Sequence, residues 1–108
     1  MKYNKTMRVI TRTRIEDFKK KHPDSVTSLD LWYDLITKNH FDNLMALKTV
    51  FGNKVDIVAK GYIFNISGNK YRLAASIHFN TQMVFIREIM THAEYSKEDW
   101  KKQHKDFH

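Results

Sequence analysis

The periodicity of the chain changes once, near Val55, and that change limits what it can fold into. Before it, apolar residues recur at helical spacing: Ile15 and Phe18, then Val26, Leu29, Trp32 or Tyr33 and Ile36, then a short run from Leu44 to Phe51. After it, apolar and polar residues alternate to about residue 90. The alternation predicts strands near 55–59, 62–67, 70–79 and 82–90, joined by two-residue turns at Lys60-Gly61, Gly68-Asn69 and Asn80-Thr81. MRVIT, at 7–11, reads as an earlier strand on the sheet edge. The implied architecture is α+β: an antiparallel sheet of four to five strands, covered on one face by N-terminal helices and followed by a short C-terminal helix.

Local signals divide the helical half. Thr13-x-x-Glu16 has the form of a capping box and opens a helix to about Lys21, which His22-Pro23 ends. Asp24 or Ser25 is placed to cap the second helix, and Gly52 to stop the third. Ser96-x-x-Asp99 is expected to cap the last helix, with Tyr95 and Trp100 as its hydrophobic staple. Lys19, Lys20 and Lys21 read as a solvated face, and Trp32 as a core anchor.

A chain of 108 residues fits a single domain, with residues 1–6 as an extension and about 101–108 as a tail. Absence of cysteine excludes disulfide scaffolds, thiol catalysis and cysteine-ligated zinc. MKYNKTMRVITRTR lacks a signal-peptide apolar core, and no run approaches the ~20 apolar residues of a membrane span. A soluble, cytoplasmic protein is expected. The net charge of +7 is uneven: the first ninety residues hold 15 basic and 8 acidic side chains, the last eighteen four of each. A basic body suits a polyanion such as nucleic acid, although solubility alone would also explain it.

The turns set a register, and the register sorts side chains into faces. One face gathers Phe64, Ile66, Tyr71, Leu73, Ala75, Ile77, Phe79, Val84 and Ile86, with Glu88 its only charge. The other gathers Asn65, Ser67, Lys70, Arg72, Ala74, Ser76, His78, Met83, Phe85, Arg87 and Ile89. Arg72 and Arg87 become diagonal neighbours, with Cβ atoms roughly 7 Å apart. Small residues beside two arginines suggest a shallow cationic floor for phosphate. Ordinary solvated arginines, or arginines paired with a carboxylate such as Glu94, are the competing readings. The strand then runs into Thr91-His92-Ala93-Glu94-Tyr95, a composition suited to proton transfer beside a phosphate.

GNKYRL, the IRE strand and THAEY together resemble the HigB toxins of type II toxin–antitoxin systems, within the RelE-like superfamily. MRVIT, the HPDS break, WY in the second helix and LKTVFG fit the same family in order, so the resemblance spans residues 7 to about 100. Ser96 stands where that family often has Asp, and Phe85 where Tyr is common. The resemblance implies a ribosome-dependent mRNA endonuclease that needs no metal or other cofactor, the RNA 2′-hydroxyl attacking the adjacent phosphate. It also implies a HigA-like helix-turn-helix antitoxin, a heterotetrameric complex with it, and docking at the ribosomal A site.

Such a reaction needs a base, an acid and cations at the phosphoryl oxygens. Arg72, His92, Tyr95 and Glu94 form the expected catalytic set. Arg72 contacts phosphate, His92 moves a proton, Tyr95 stacks on a base or positions phosphate, and Glu94 orients His92. Lys70, Arg87, Asn69 and Lys60 are the expected RNA contacts. The alternative function is a non-catalytic RNA- or DNA-binding module using the same basic face. A metal-dependent nuclease fits poorly, because no acidic cluster of two-metal type is visible. His104 and His108 are four apart on the last helix, in a polar C-terminus.

Overall fold

A computed structural model describes residues 5–58 and 61–97. The order is β1 (Arg8–Ile10), α1 (Thr13–Lys21), a 3₁₀ turn (Pro23–Ser25), α2 (Val26–Thr37), α3 (Leu44–Phe51), β2 (Val55–Val58), β3 (Gly61–Ile66), β4 (Tyr71–His78), β5 (Met83–Thr91) and α4 (His92–Lys97). The sheet has the spatial order β1-β5-β4-β3-β2. Its hairpin-linked strands are antiparallel, as alternation and short turns require, whereas β1 lies parallel to β5. The sheet is therefore mixed. The whole of the intervening chain separates β1 from β5, so no hairpin constrains their direction.

The helix-covered face forms the main core. Leu73 of β4 is fully buried between its partners Phe64 and Ile89, and Trp32 and Ile36 of α2, Leu47 and Phe51 of α3, and Ile15 and Phe18 of α1 close over the sheet. Trp32 meets Phe64 edge-on at 5.5 Å, and Phe51 meets the same ring at 5.1 Å. Trp32 is thus the anchor its spacing indicated. Val26 is not, because it lies at the mouth of the first helical turn and stays exposed.

Gln82 is buried and fully used. Its Oε1 accepts from the Phe41 backbone N–H (3.1 Å), and its Nε2 donates to the Phe41 and Phe79 carbonyls (2.6 and 2.7 Å). It pins the α2–α3 connection to the β4–β5 turn.

The β3–β4 register is the expected one, with Ile66 opposite Tyr71 and Asn65 opposite Arg72. The β4–β5 register holds from His78↔Met83 to Ala75↔Ile86, then slips by one residue, giving Ala74↔Glu88, Leu73↔Ile89 and Arg72↔Met90. This bulge removes Glu88 from its expected place opposite Leu73 and puts Ile89 there, in the core. Met90, not Ile89, then belongs to the opposite face. The position has a physical reason. Thr11 ends β1 with φ 68°, and its Oγ1 accepts from Ile86 N–H (3.0 Å) and donates to Ile86 C=O (3.1 Å). Beyond Ile86 the strand no longer has β1 to keep it in step.

Two helix starts differ from the capping patterns. Glu16 makes ion pairs with Arg12 and Lys19 instead of closing a capping box at Thr13. Ser25 is the α2 N-cap residue, but its hydroxyl donates to the His22 carbonyl (2.7 Å), and Asp24 turns toward the sheet. Asn43 does cap α3, accepting from Ala46 N–H at 3.0 Å, and Gly52 ends it with φ 63°.

Candidate active site

The face away from α1–α3 carries a second, smaller apolar cluster of Ile63, Ala74 and Met90, with Val58 and Tyr95 packed against it. Arg72 and Met90 are strand partners there. Arg72 is only 9% exposed, so its guanidinium is a placed group and not a solvated one. Nη1 donates to the Asn69 and Tyr71 carbonyls (3.1 and 3.2 Å), and Nη2 donates to Asn69 Oδ1 (3.3 Å). The guanidinium carbon lies 5.4 Å from the centroid of the Tyr95 ring, within cation–π range. Among the described residues no carboxylate forms an ion pair with Arg72.

The turn that supplies these acceptors is tight. Lys70 N–H closes it on the Ser67 carbonyl (3.2 Å), with φ 53° at Ser67 and 66° at Gly68. Glycine is the residue that takes this conformation without strain. Asn69, expected to touch RNA, is here the residue that holds Arg72.

Arg87 sits on the same face but on its own support. Its Nε donates to Ser76 Oγ (3.0 Å), and its guanidinium lies 5.8 Å from the Phe85 ring centroid. The bulge replaces the expected diagonal pairing with Arg72: Met90 now stands opposite Arg72, and Arg87 sits at the slip.

Lys70 departs most from expectation. It precedes β4, and its ammonium leaves the Arg72 face to pair with Asp24 of the 3₁₀ turn. Asp24 also accepts from the Tyr71 hydroxyl (2.6 Å). The hydrogen bond from Lys70, and then that from Tyr71, holds the Asp24 carboxyl below its ordinary pKa. The same contacts with Asp24 raise the pKa values of Lys70 and Tyr71. An aromatic cluster backs this corner: His22 stacks on Phe18 and Tyr71 meets Phe18 edge-on, with centroids 4.4 to 5.2 Å apart among the three rings.

The last helix begins earlier than Ser96. Thr91 and Glu94 form a reciprocal capping box: Glu94 Oε1 accepts from Thr91 N–H (2.9 Å), and Thr91 Oγ1 accepts from Glu94 N–H (3.2 Å). The T-x-x-E spacing within THAEY carries that signal, and the later S-x-x-D pattern masked it. Glu94 is thereby committed to the helix start and not to the imidazole. Ser96 lies inside α4, where its Oγ approaches His92 Nδ1 at 3.5 Å. Trp100 of the expected staple, the paired His104 and His108, and Lys60 lie outside the described residues.

His92 is exposed, and its backbone N–H donates to the Lys70 carbonyl (2.9 Å), which ties the start of α4 to the β3–β4 turn. His92 and Tyr95 are three apart on α4 and so share a helix face. The structure thus gathers Asn69, Arg72, His92 and Tyr95 around one end of β4. It places Arg87 farther along the same face, and Lys70 beside Asp24. Among the described residues no three His, Asp or Glu side chains group as metal ligands, and no helix is long and apolar enough to cross a membrane.

Two curated proteins named mRNA interferase toxin HigB and mRNA interferase HigB, from Escherichia coli K12 and O157:H7, are each 36% identical to the chain over 91 residues, 82% of it and 88% of their own length. An mRNA interferase HigB of E. coli O6:H1 (strain CFT073) is 29% identical over 93 residues, 84% of the chain and 90% of the relative. Residues 25–98, from the start of α2 to just beyond the last described residue, match the family model of the RelE-like toxic component of a toxin–antitoxin system, and the chain belongs to that family, the HigB toxins.

Proposed function

We propose that the chain is an mRNA interferase, an endoribonuclease toxin that cuts messages on the ribosome by a metal-free route. The observation that carries this reading is Arg72. It is a buried guanidinium fixed by three hydrogen bonds and an aromatic ring, without a carboxylate partner among the described residues. A cation held in this way costs little to reorganise when negative charge develops on a phosphoryl oxygen, which is the condition for electrostatic catalysis.

The RNA 2′-hydroxyl attacks the adjacent phosphorus and the 5′-oxygen leaves. Arg72 stabilises the charge on the non-bridging oxygens. His92, exposed at the start of α4 beside that turn, exchanges protons with the attacking or leaving oxygen. Tyr95 holds the guanidinium from below, and Asn69 from the turn. Arg87 contributes positive potential for the flanking phosphates, a contact that weakens with salt. A cognate antitoxin restrains the enzyme, as the family description implies. An antitoxin of helix-turn-helix type, a heterotetrameric complex and a cytoplasmic setting complete the reading.

The test is cleavage of a defined message in a reconstituted translation reaction. Cutting is expected only with ribosomes, leaving a 2′,3′-cyclic phosphate or its hydrolysis product. It should vanish when the nucleotide 5′ to the cut carries a 2′-deoxyribose. Equal cutting of that deoxy substrate would overturn the mechanism, and intact messages throughout would overturn the function.

A further inference from the structure

The sheet face that carries Arg72 continues toward β1, and its far end has a chemistry of its own. Val9 of β1 packs with the buried Val84 on the helix-covered face. Strand alternation therefore turns Arg8 and Ile10 to the open face, beside their β5 partners Met83 and Phe85. Phe85 stands opposite Ser76 of β4, and Met83 opposite His78. α4 leaves β5 at Thr91, the Arg72 end of the face. At the other end His78, Met83, Phe85 and Arg87 are only half-buried. The Phe85 and His78 rings meet at 79° with centroids 5.3 Å apart, so they form one aromatic unit. Arg87 is aimed across it. Its Nε donates to the fully buried Ser76 and its guanidinium lies by the Phe85 ring, while Nη1 and Nη2 have no hydrogen-bond partner among the described residues. Arg8 adds an exposed cation at the β1 edge. Neither arginine joins an ion pair among the described residues. Glu88, next in sequence to Arg87, lines the cleft against α1 with Arg14 and Lys21.

Aromatic rings for bases, beside cations for phosphates, are the arrangement that binds a nucleic-acid single strand. We propose that this end of the face is a second nucleotide subsite. The base of a message nucleotide near the cut, but not at it, stacks on the Phe85–His78 pair, and its phosphate meets the free Nη groups of Arg87, with Arg8 at the edge. The proposal rests on the nuclease reading above. The occupant is the message because the subsite shares a strand with Arg72. Arg72 and Ser76 are four residues apart on β4, about 13 Å, a span that neighbouring nucleotides of one extended strand cover. Every base has a π-face, so stacking tolerates any base. The subsite therefore holds the message in line over Arg72 without choosing its sequence.

The experiment is cleavage of a ribosome-bound message whose nucleotides around the cut are made abasic one at a time, by the parent chain and by Phe85→Leu. For the parent, one abasic position away from the cut should lower kcat/KM about tenfold, the lower end of what one base–aromatic stack is worth. Phe85→Leu keeps the apolar volume and deletes the ring. It should lower kcat/KM on the intact message by a similar factor, mainly through KM, and should be indifferent to that abasic position. Arg8→Gln should reduce the slope of log kcat/KM against log salt by about 0.7, the share of one single-strand phosphate contact. Arg8 is exposed, so that variant remains informative even if the Phe85 variant folds poorly. Abasic and Phe85→Leu losses that multiply in full would mean that no message base rests on the ring, and would overturn the subsite. So would an Arg8→Gln salt slope equal to the parent's. A parent chain that cuts no message would overturn the nuclease reading and the subsite together, whereas either of the other two results, from a parent that cuts, overturns the subsite alone.

Discussion

The two faces of the sheet share the same strands but are determined in different ways. On the helix-covered face Phe64, Leu73, Ala75 and Ile86 need only to be apolar and of the right volume. Area removed from water is non-directional, so alternation along the strand is enough to place them. On the opposite face the cations expected there are placed by specific donors or acceptors. Asn69 holds Arg72, Ser76 holds Arg87, and Asp24, 46 residues away, draws Lys70 off the face altogether. The core face is a pattern, while the site face is a set of appointments.

Substitutions should separate the two. The largest effect is expected at Leu73→Ala, which opens a hole at the centre of the core. A loss of about 2–5 kcal/mol, read by denaturant titration, is expected. That would consume much of the roughly 5–15 kcal/mol available to a domain of this size. Gln82→Leu should come next, at about 2 kcal/mol, because it strands the Phe41 N–H and two carbonyls without altering any cation. A loss below about 0.5 kcal/mol would show that water replaces the amide.

Asn69→Ala should leave stability nearly unchanged, since the backbone carbonyl still accepts from Arg72. It should lower kcat of message cleavage about tenfold with little change in KM, as expected for a residue that positions the guanidinium. An effect confined to KM would instead make Asn69 an RNA contact. The smallest effect is expected at Asp24→Asn and depends on pH. The Asp24 carboxyl has its pKa lowered in the folded state, so its contribution is present above the unfolded value and fades as pH falls through the lowered one. The variant should melt slightly below the parent at pH 7, and the two curves should converge in strong acid. A gap that widens on acidification would contradict the Lys70–Asp24–Tyr71 contact.

This division also explains what was legible beforehand. The α+β order, the turns at Gly68-Asn69 and Asn80-Thr81, the burial of Trp32 and the membership of Arg72 in the non-helix face all follow from period and turn chemistry. The slip after Ile86 does not, because it depends on Thr11 closing β1 against a strand 75 residues later. Nor does the departure of Lys70, because nothing local to GNKYRL reveals Asp24. The start of α4 was legible in principle. Two capping patterns overlap within residues 91–99, and the earlier one wins because β5 ends at Thr91, where the first box begins.

Arg72 is where the two ways of building meet: its strand position came from the pattern, and its guanidinium is set by Asn69, Tyr71 and Tyr95. The most direct measurement is therefore cleavage of ribosome-bound message by Arg72→Ala, with the thermal melt of the same preparation as control. A loss of about 10²–10³ in kcat, the scale seen when one preorganised oxyanion donor is removed, is expected with the cooperative melt retained. Full cleavage by a folded Arg72→Ala protein would contradict the assignment of this face as the active site.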